Sequence, residues 1–442
     1  MSALTDLLLQ GPRPAPELRQ HLNVSQATFS RLAAAEDQVV QFGRARATRY
    51  ALRRPIRGIS EFPLWQVDDA GKAWTFGVLT PCWPRGSCLV ALNNGEWQWF
   101  SGLPWYLNDL RPQGFIGRAW GRRLAAQLAL PEDIRLWQED DILFALSLFS
   151  GENQGGWLIG DSGYQQWLQT TAPAPIGEAE KLRVYAELAR DALAGEVVGS
   201  SAGGEQPKFT CLAERDSQPV QMLVKFTAPQ QGAVTQRWAD LLIAESVALE
   251  VLRNAGIAAS QAQILRSETG QVFLESRRFD CEGVVGRRAL VSLEAVQSEF
   301  GPSGSQWPPT VAGLEKQKQL TPETAQTVAN LWAFGRLIAN SDMHAGNLSF
   351  YLSDAPLLLT PVYDMLPMAF APTSAGAMRE ASVGLKIEPL VNREAWLFAF
   401  AQAMLFWRLI ADDLRISAAF RLIAQEMQKE LLALEPVIDR LA

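Results

Sequence analysis

The sequence predicts an α+β protein in which a small winged helix-turn-helix domain precedes a larger two-lobed body. Three observations lead to this fold class. Short amphipathic helices and an alternating pair of strands fill the first 57 residues. A glycine- and serine-rich loop near residue 200 precedes two apolar strands, and mostly helical patterns fill the last third of the chain. We expect four parts, at residues 1–57, 58–180, 181–285 and 286–442.

The overall composition is that of an ordinary globular protein. The chain has 442 residues, of which 48% are hydrophobic and 20% charged, which is sufficient for several cores. We find no run of about 18 apolar residues and no secretory signal, so we expect no membrane span. The four cysteines are scattered, unlike those of a zinc site or a disulfide framework. We therefore expect a cytoplasmic protein with reduced thiols.

The charge is distributed unevenly between the N-terminal domain and the rest. Residues 1–57 contain nine arginines against four acidic residues, a net charge of +5. The whole chain carries −7, so the remaining residues carry −12. A basic domain on an acidic body is consistent with separate tasks for the two parts, although five charges alone are also an ordinary fluctuation.

The first helices of the N-terminal domain have the helix-turn-helix spacing. An apolar stripe over Leu4–Leu9 and a short helix over Glu17–Leu22 precede a turn, and Ser25 is placed to cap a third helix over Gln26–Ala35. In this motif the later helix enters the major groove of DNA. We expect Phe29 and Leu32 to face the core, and the exposed candidates for DNA contact are Gln26, Thr28, Ser30 and Arg31.

Two alternating segments after the third helix predict the wing. Residues 39–42 and 48–52 alternate like strands around a short turn, and three arginines lie where such a turn would meet phosphates: Arg44, Arg46 and Arg49. The alternative is a small helical module that docks on another protein. The clustered arginines favour DNA. Residues 58–180 predict only a small sheet with no catalytic constellation.

The segment after residue 195 predicts a phosphate-binding loop and a functional lysine. Gly203, Gly204 and Lys208 belong to a glycine- and serine-rich loop, where backbone N–H groups can approach phosphates closely. Lys225 lies in the next apolar strand, and a buried ammonium needs a partner such as a nucleotide phosphate or a carboxylate. A surface lysine on an edge strand is the alternative.

A long helix and a further strand complete this sheet-rich part. The helix over Gln236–Ala255 carries Glu245, a candidate ion-pair partner for Lys225, with Asp240 and Glu250 as other candidates. The strand over 271–280 is where backbone groups near Glu275 and Arg277 could bind an adenine edge. The alternative for that segment is a strand that packs on a helix.

The most specific pattern lies in the last third of the chain. Asp342 is followed five residues later by Asn347, and Asp364 ends the next hairpin. Phosphoryl transfer needs a carboxylate to orient the attacking hydroxyl and oxygen ligands that hold Mg²⁺. The spacing therefore predicts Asp342 as the catalytic aspartate and Asn347 and Asp364 as metal ligands. We expect His344 to hold this loop through hydrogen bonds.

Residues 60–435 resemble the HipA-type serine/threonine kinases, the toxin half of bacterial toxin–antitoxin pairs. The resemblance rests on Ser-Ser-Ala-Gly-Gly-Glu-Gln-Pro-Lys at 200–208, Val-Lys-Phe at 224–226, Glu-Ser-Arg-Arg-Phe-Asp at 275–280, Asn-Ser-Asp-Met-His-Ala-Gly-Asn at 340–347 and Val-Tyr-Asp at 362–364. A stretch at 103–112 is similar to the family's N-terminal subdomain. The resemblance implies a two-lobed kinase-like fold that uses ATP and Mg²⁺.

The resemblance also implies further roles and partners. It implies autophosphorylation at Ser200 in the glycine-rich loop, with Ser201 left open as an alternative. It implies growth inhibition, a protein substrate of the aminoacyl-tRNA synthetase kind and an antitoxin of the HipB type. The chain departs from the family in its fused N-terminal domain, since DNA binding usually belongs to the separate antitoxin. An extra polar pair within the segment 275–280 and Pro207 just before Lys208 are smaller departures.

Two other functions stay open from the sequence. One is a DNA-binding regulator whose kinase-like part senses a ligand. The other is a phosphotransferase that acts on a small molecule, because sugar and antibiotic kinases share the spacing of Asp342 and Asn347. The four polar groups at Lys225, Asp342, Asn347 and Asp364 argue against an inactive kinase-like part.

Overall fold

The structure is a computed structural model that describes residues 2–111, 113–148, 154–194, 206–301, 306–373, 375–378 and 383–441. It forms two compact units. The first comprises residues 1–112 and 121–171, and the second comprises residues 113–120 and 172–442. The four-part division expected from the sequence stays a prediction.

The first unit begins with the helix-turn-helix elements. These are α1 (Ala3–Leu8), β1 (Arg13–Pro14), α2 (Ala15–Leu22), α3 (Gln26–Ala34), β2 (Val39–Phe42) and β3 (Arg49–Leu52). Asn23 ends α2 in the left-handed conformation, and the Oγ of Ser25 accepts the N–H of Thr28 at 3.2 Å to begin α3. The strand order is β1-β3-β2, so the predicted wing is an antiparallel hairpin.

The core of these helices confirms one predicted side chain and corrects another. Phe29 is fully buried and meets Tyr50 edge to face with ring centroids 5.0 Å apart. Leu32, which we expected in the core, is 41% exposed, so that expectation was wrong. The apolar face of α3 is narrower than its sequence suggests, because Leu4, Leu8 and Leu18 with Phe29 already fill the space under the helix.

A five-stranded antiparallel sheet follows in the same unit. Its strands are β4 (Phe62–Val67), β5 (Ala73–Pro81), β6 (Cys88–Leu92), β7 (Trp97–Phe100) and β8 (Trp157–Ile159), in the order β7-β6-β5-β4-β8. Helix α4 (Gly114–Leu128) begins among residues of the second unit and belongs to the first unit from residue 121, and α5 (Glu139–Leu148) and α6 (Gly160–Gln169) lie in the first unit.

The wing hairpin shares a small core with this sheet. Val40, Phe42 and Ala51 are buried with Cys82 and Leu89 of the sheet region. The ring of Phe42 stacks on Trp99 with centroids 6.2 Å apart and lies 6.3 Å from Trp97. Backbone hydrogen bonds continue the contact, since the N–H of Trp83 donates to the carbonyl of Leu52 at 2.9 Å. We refer to this set as the shared wing core.

The second unit begins with a sheet and two helices. It contains α7 (Lys181–Ala194), β9 (Lys208–Arg215), β10 (Gln218–Phe226), α8 (Ala233–Asn254), β11 (Ala262–Arg266) and β12 (Val272–Arg277). The antiparallel order is β11-β12-β10-β9. Tyr185 of α7 packs with Phe209, Phe226 and Phe273 on one side of this sheet. The glycine-rich loop before β9, with Ser200, Ser201, Gly203 and Gly204, lies outside the described residues.

The rest of the second unit is mostly helical. Short strands lie at β13 (Cys281–Glu282), β14 (Gly286–Arg287), β15 (Leu290–Ser292), β16 (Ser349–Tyr351) and β17 (Leu358–Leu359), with a three-stranded order β15-β16-β17. The helices are α9 (Leu293–Phe300), α10 (Trp307–Lys316), α11 (Pro322–Leu337), α12 (Arg393–Asp412) and α13 (Ala418–Ile438).

Helix α12 is long and apolar enough to cross a membrane by length and composition alone. Its Trp396, Phe406 and Trp407 are fully buried, and it packs beside α11 and α13. The Nε1–H of Trp407 donates to the carbonyl of Leu337 in α11 at 3.1 Å. These contacts are those of the central helix of a helical lobe.

Candidate active site

Lys225 lies on β10 and forms a buried ion pair with α8. Its Nζ lies 2.7 Å from each carboxylate oxygen of Glu245, and the side chains are 6% and 2% exposed. The pairing predicted for Lys225 is therefore confirmed at Glu245. Of the other two candidates, Asp240 bonds to Ser417 instead and Glu250 is exposed.

Asp364 is the second carboxylate on the same ammonium. Its Oδ1 contacts the Nζ of Lys225, and its side chain is 27% exposed. The backbone at Asp364 has φ of 52°, a left-handed conformation that is uncommon away from glycine and that often marks functional turns. The Nδ2 of Asn340 donates to the carbonyl of Asp364 at 3.3 Å.

Asn340 connects Asp364 to the loop that carries Asp342. Its side chain is buried, and its Oδ1 accepts the N–H of Asp342 at 3.0 Å. Because one side chain bonds to both segments, the two aspartates are held in a fixed relation. We assigned no role to Asn340 from the sequence, although an asparagine two residues before the predicted catalytic aspartate was a usable signal.

Hydrogen bonds within the loop over 340–347 hold its remaining residues. The Nδ2 of Asn347 donates to the carbonyl of Asp342 at 2.7 Å. The Nδ1 of His344 accepts the N–H of Gly346 at 3.1 Å, as expected for a residue that holds the loop. Trp307 and Tyr363 bond to the carbonyls of His344 and Gly346 at 2.8 and 3.0 Å.

The oxygens left over in this loop suit a metal and a substrate hydroxyl. The amide nitrogen of Asn347 donates to the carbonyl of Asp342, which leaves its Oδ1 as the remaining acceptor of that side chain. Among the described residues we find no hydrogen bond to that Oδ1 or to the carboxylate of Asp342, and Asp342 is exposed. Oxygen atoms of Asp and Asn are the ligands that Mg²⁺ takes in proteins. The residues present therefore fit the predicted ion.

The charges around Lys225 reinforce one another. Burial raises the pKa of Asp364, but Lys225 and Lys208 overcome it and lower the value to about 2. Burial lowers the pKa of Lys225, yet Asp364 and Glu245 raise it above its ordinary value. Lys208 stands opposite Lys225 in the register of β9 and β10, so both cations lie on one face of the sheet. Asp364 is ionised and Lys225 is charged at neutral pH.

Glu275 and Arg277, near which backbone groups were expected to bind an adenine edge, both make hydrogen bonds within the protein. Glu275 is fully buried, and its carboxylate accepts Lys181 at 2.9 Å and the hydroxyl of Tyr185 at 2.6 Å. The N–H of Arg277 donates to the carbonyl of Gln261 at 3.0 Å. The side chain of Glu275 therefore links β12 to α7. A role for this residue beside adenine stays a prediction. Lys181 gave no sequence signal, because it lies 94 positions away.

The candidate DNA contacts lie on the surface of the first unit. Arg44, Arg46 and Arg49 are exposed on the wing, as are Gln26 and Arg31 on α3. Thr28 is half-buried, and its N–H donates to the Oγ of Ser25 at 3.2 Å while its hydroxyl lies 3.0 Å from the same oxygen. The Oε1 of Gln26 accepts Arg19 at 2.7 Å.

Family models match two stretches of the chain. Residues 59–168 match the YjjJ-like toxin middle domain, and residues 200–433 match the HipA-like C-terminal domain. Over 441 residues the chain is 59% identical to Toxin YjjJ of Escherichia coli (strain K12), and the match covers 100% of both proteins.

A solved structure has a similar fold. It is the Shewanella oneidensis MR-1 toxin–antitoxin complex of HipA, HipB and operator DNA, matched with a TM-score of 0.51 and 14% identity. The match covers 84% of this chain and 96% of that one. The structural match and the HipA-like C-terminal domain define a protein with a HipA-type, kinase-like fold. The family matches carry this further: the chain belongs to the HipA-like toxin family.

Proposed function

We propose that this protein is an ATP- and Mg²⁺-dependent serine/threonine protein kinase of the HipA type that inhibits growth and carries its own DNA-binding domain. One observation carries the proposal. The ammonium of Lys225 is held by Glu245 and Asp364, and Asn340 ties Asp364 to the loop that carries Asp342. These residues come from distant parts of the chain. An ion pair with only a structural role would not require the exposed carboxylate of Asp342 beside it, so the arrangement favours a functional site.

Lys225 and Lys208 supply the positive charge for the phosphates of ATP. Both lie on one face of the sheet, and Lys208 directly follows the glycine-rich loop. Backbone N–H groups at Gly203 and Gly204 are proposed to contact the same phosphates. Glu245 keeps the ammonium of Lys225 in place, since a buried lysine without a partner loses its charge or its position. Arg277 stays the candidate beside the adenine.

The metal ligands follow from the oxygens of the loop. Asp364 is ionised, and the Oδ1 of Asn347 accepts no hydrogen bond among the described residues. When bound, Mg²⁺ neutralises part of the charge on the phosphates. Asp364 and Asn347 would hold the ion, and Asp364 is already fixed through Lys225 and Asn340.

Asp342 is the proposed catalytic residue. Its exposed carboxylate orients a serine or threonine hydroxyl and accepts the proton of that hydroxyl. The hydroxyl oxygen forms a bond to the γ-phosphorus while the bond from that phosphorus to the β–γ bridging oxygen breaks, which leaves ADP. Autophosphorylation is proposed at Ser200, with Ser201 as the alternative acceptor.

The N-terminal domain is proposed to bind DNA in the cytoplasm. Three exposed wing arginines, Arg44, Arg46 and Arg49, can neutralise phosphates, and Gln26, Thr28 and Arg31 lie on the helix that would enter the major groove. The solved HipA complex contains HipB and operator DNA. By analogy we propose an antitoxin of the HipB type as a partner, and an aminoacyl-tRNA synthetase as the protein substrate.

A labelling experiment with γ-³²P-ATP tests the kinase. Purified protein is expected to label itself at Ser200 or Ser201, and peptide mapping of Ser200→Ala and Ser201→Ala identifies the acceptor. Asp342→Ala should abolish the label, whereas Asp354→Ala, at an exposed turn between β16 and β17, should not. Label on a small metabolite would favour a small-molecule phosphotransferase. No transfer at all would favour a ligand sensor.

A further inference from the structure

Asp240 of α8 is buried against the N-terminus of another helix. It is 1% exposed, and its Oδ1 accepts the N–H of Ser417 at 2.8 Å while its Oδ2 accepts the hydroxyl of Ser417 at 2.6 Å. The Nε2 of Gln236 adds a third bond at 3.1 Å. Ser417 is the residue that caps α13, since its Oγ accepts the N–H of Phe420. The carboxylate thus fastens α8 to the start of a 21-residue helix.

Arg237 makes a second contact from the same turn of α8. It is 8% exposed, and its Nη1 donates to the carbonyl of Phe370 at 2.9 Å. Its guanidinium lies 5.2 Å from the ring centroid of Phe420 in α13. Phe370 lies six residues after Asp364, so Arg237 also holds the segment that leads away from the proposed metal ligand.

Both contacts lie near the residue that holds Lys225. Glu245 follows Asp240 by five residues on the same helix, a rise of about 7.5 Å. A continuous helix moves as a rigid element over that length, so a shift at Asp240 becomes a shift at Glu245. Apolar contacts alone permit sliding, whereas buried charged groups have one arrangement that satisfies their hydrogen bonds.

We propose that Arg237 and Asp240 are positioning residues for the phosphate-transfer site. They fix α8 on the helical part of the unit so that Glu245 holds Lys225 at its working distance from Asp364 in the isolated chain. The inference rests on the proposed kinase function and deepens it: contacts within the fold set the position of the ion pair at Lys225.

A double-mutant cycle distinguishes this role from simple stabilisation. Asp240→Asn has one side-chain oxygen, so it can accept only one of the two hydrogen bonds that Ser417 donates. Ser417→Ala removes the hydrogen bond that the hydroxyl donates and keeps the one from the backbone N–H. We expect Asp240→Asn to lower kcat about tenfold, which corresponds to about 1.4 kcal/mol. Ser417→Ala should lower kcat roughly threefold, and the KM for ATP should rise by a smaller factor than kcat falls. In a Glu245→Gln background, Asp240→Asn and Ser417→Ala should each lower kcat less than about twofold. The reason is that both substitutions act through the ion pair of Glu245 with Lys225, which this background lacks.

The matched control is Asn392→Ala. Asn392 caps the neighbouring helix α12 through the N–H of Ala395 at 2.9 Å, and it has no bond to α8 among the described residues. Folded protein is quantified for every variant by far-ultraviolet circular dichroism, so that kcat is expressed for each folded molecule. Asn392→Ala should leave kcat unchanged.

Three results would overturn the inference while the kinase proposal stands. These are full effects of Asp240→Asn and Ser417→Ala in the Glu245→Gln background, wild-type kcat in both single variants, or an equal loss in Asn392→Ala. A wild-type protein that transfers no phosphate under the same conditions refutes the proposed function, and the inference falls with it.

Discussion

Removal of the ammonium at Lys225 should destabilise the second unit strongly. In Lys225→Met the buried carboxylate of Glu245 loses the partner that lies 2.7 Å from both of its oxygens. Loss of one member of a buried ion pair costs about 3–5 kcal/mol, because the other charge stays buried and unpaired. Asp364 contributes less to this loss, since its side chain is 27% exposed and can be hydrated.

A compensating variant separates the charge effect from packing. Met has nearly the volume of Lys, so Lys225→Met leaves little empty space. The double variant Lys225→Met with Glu245→Leu removes both charges of the buried pair between β10 and α8. Replacement of a buried ion pair by apolar groups often leaves the stability of a protein unchanged. We expect the double variant to recover most of the lost stability and to remain inactive in phosphate transfer.

Urea denaturation followed by tryptophan fluorescence measures both changes. The buried Trp307, Trp396 and Trp407 report on the helical part of the second unit. A loss below about 1 kcal/mol for Lys225→Met, or a double variant as unstable as the single one, would refute the reasoning, since Glu245 would then not depend on Lys225.

Three further outcomes test other parts of the molecule. Wild type should be more stable than Asp364→Asn by its full margin above about pH 4, and this margin should vanish as the pH falls towards about 2. The reason is that the pKa of Asp364 is lowered in the folded state, so its ionised form stabilises the fold. Urea midpoints of the two proteins across this pH range measure the margin. Arg44→Ala with Arg46→Ala should weaken binding to a mixed-sequence duplex and lower the salt slope by about two units, and unchanged fluorescence anisotropy titrations would contradict the wing assignment. Phe42→Ala should cost about 3–5 kcal/mol by thermal or chemical unfolding, whereas Leu32→Ala, at a side chain 41% exposed, should stay within about 0.5 kcal/mol; equal losses would contradict the shared wing core.

Local patterns predicted several elements of both units well. Ser25 as a helix cap, the paired wing strands and the Lys225–Glu245 contact follow from residue types and short spacings. The order of motifs along the chain then predicted a kinase-like fold, and the structural match bears this out. These predictions succeed because capping, alternation and the need of a buried charge for a partner act over a few residues or across one strand and one helix.

Contacts between distant segments were not predictable from one sequence. The buried carboxylate of Glu275 bonds to Lys181 and Tyr185, which lie 94 and 90 positions away, and no local sequence pattern indicated these contacts. Leu32 was expected in the core, but the neighbouring leucines fill it first. The position of such a side chain depends on the space and the partners that other elements provide. The periodicity within one helix or strand carries no information about those elements.

The shared wing core limits how the N-terminal domain could have been acquired or could be exchanged. The ring of Phe42 contacts both Trp97 and Trp99, so a transplanted DNA-binding domain would have to bring an aromatic side chain of similar shape at that position. A fragment cut at residue 57 would expose that surface to water and is expected to aggregate. Domain-swap designs for this protein should therefore place their junction beyond the five-stranded sheet.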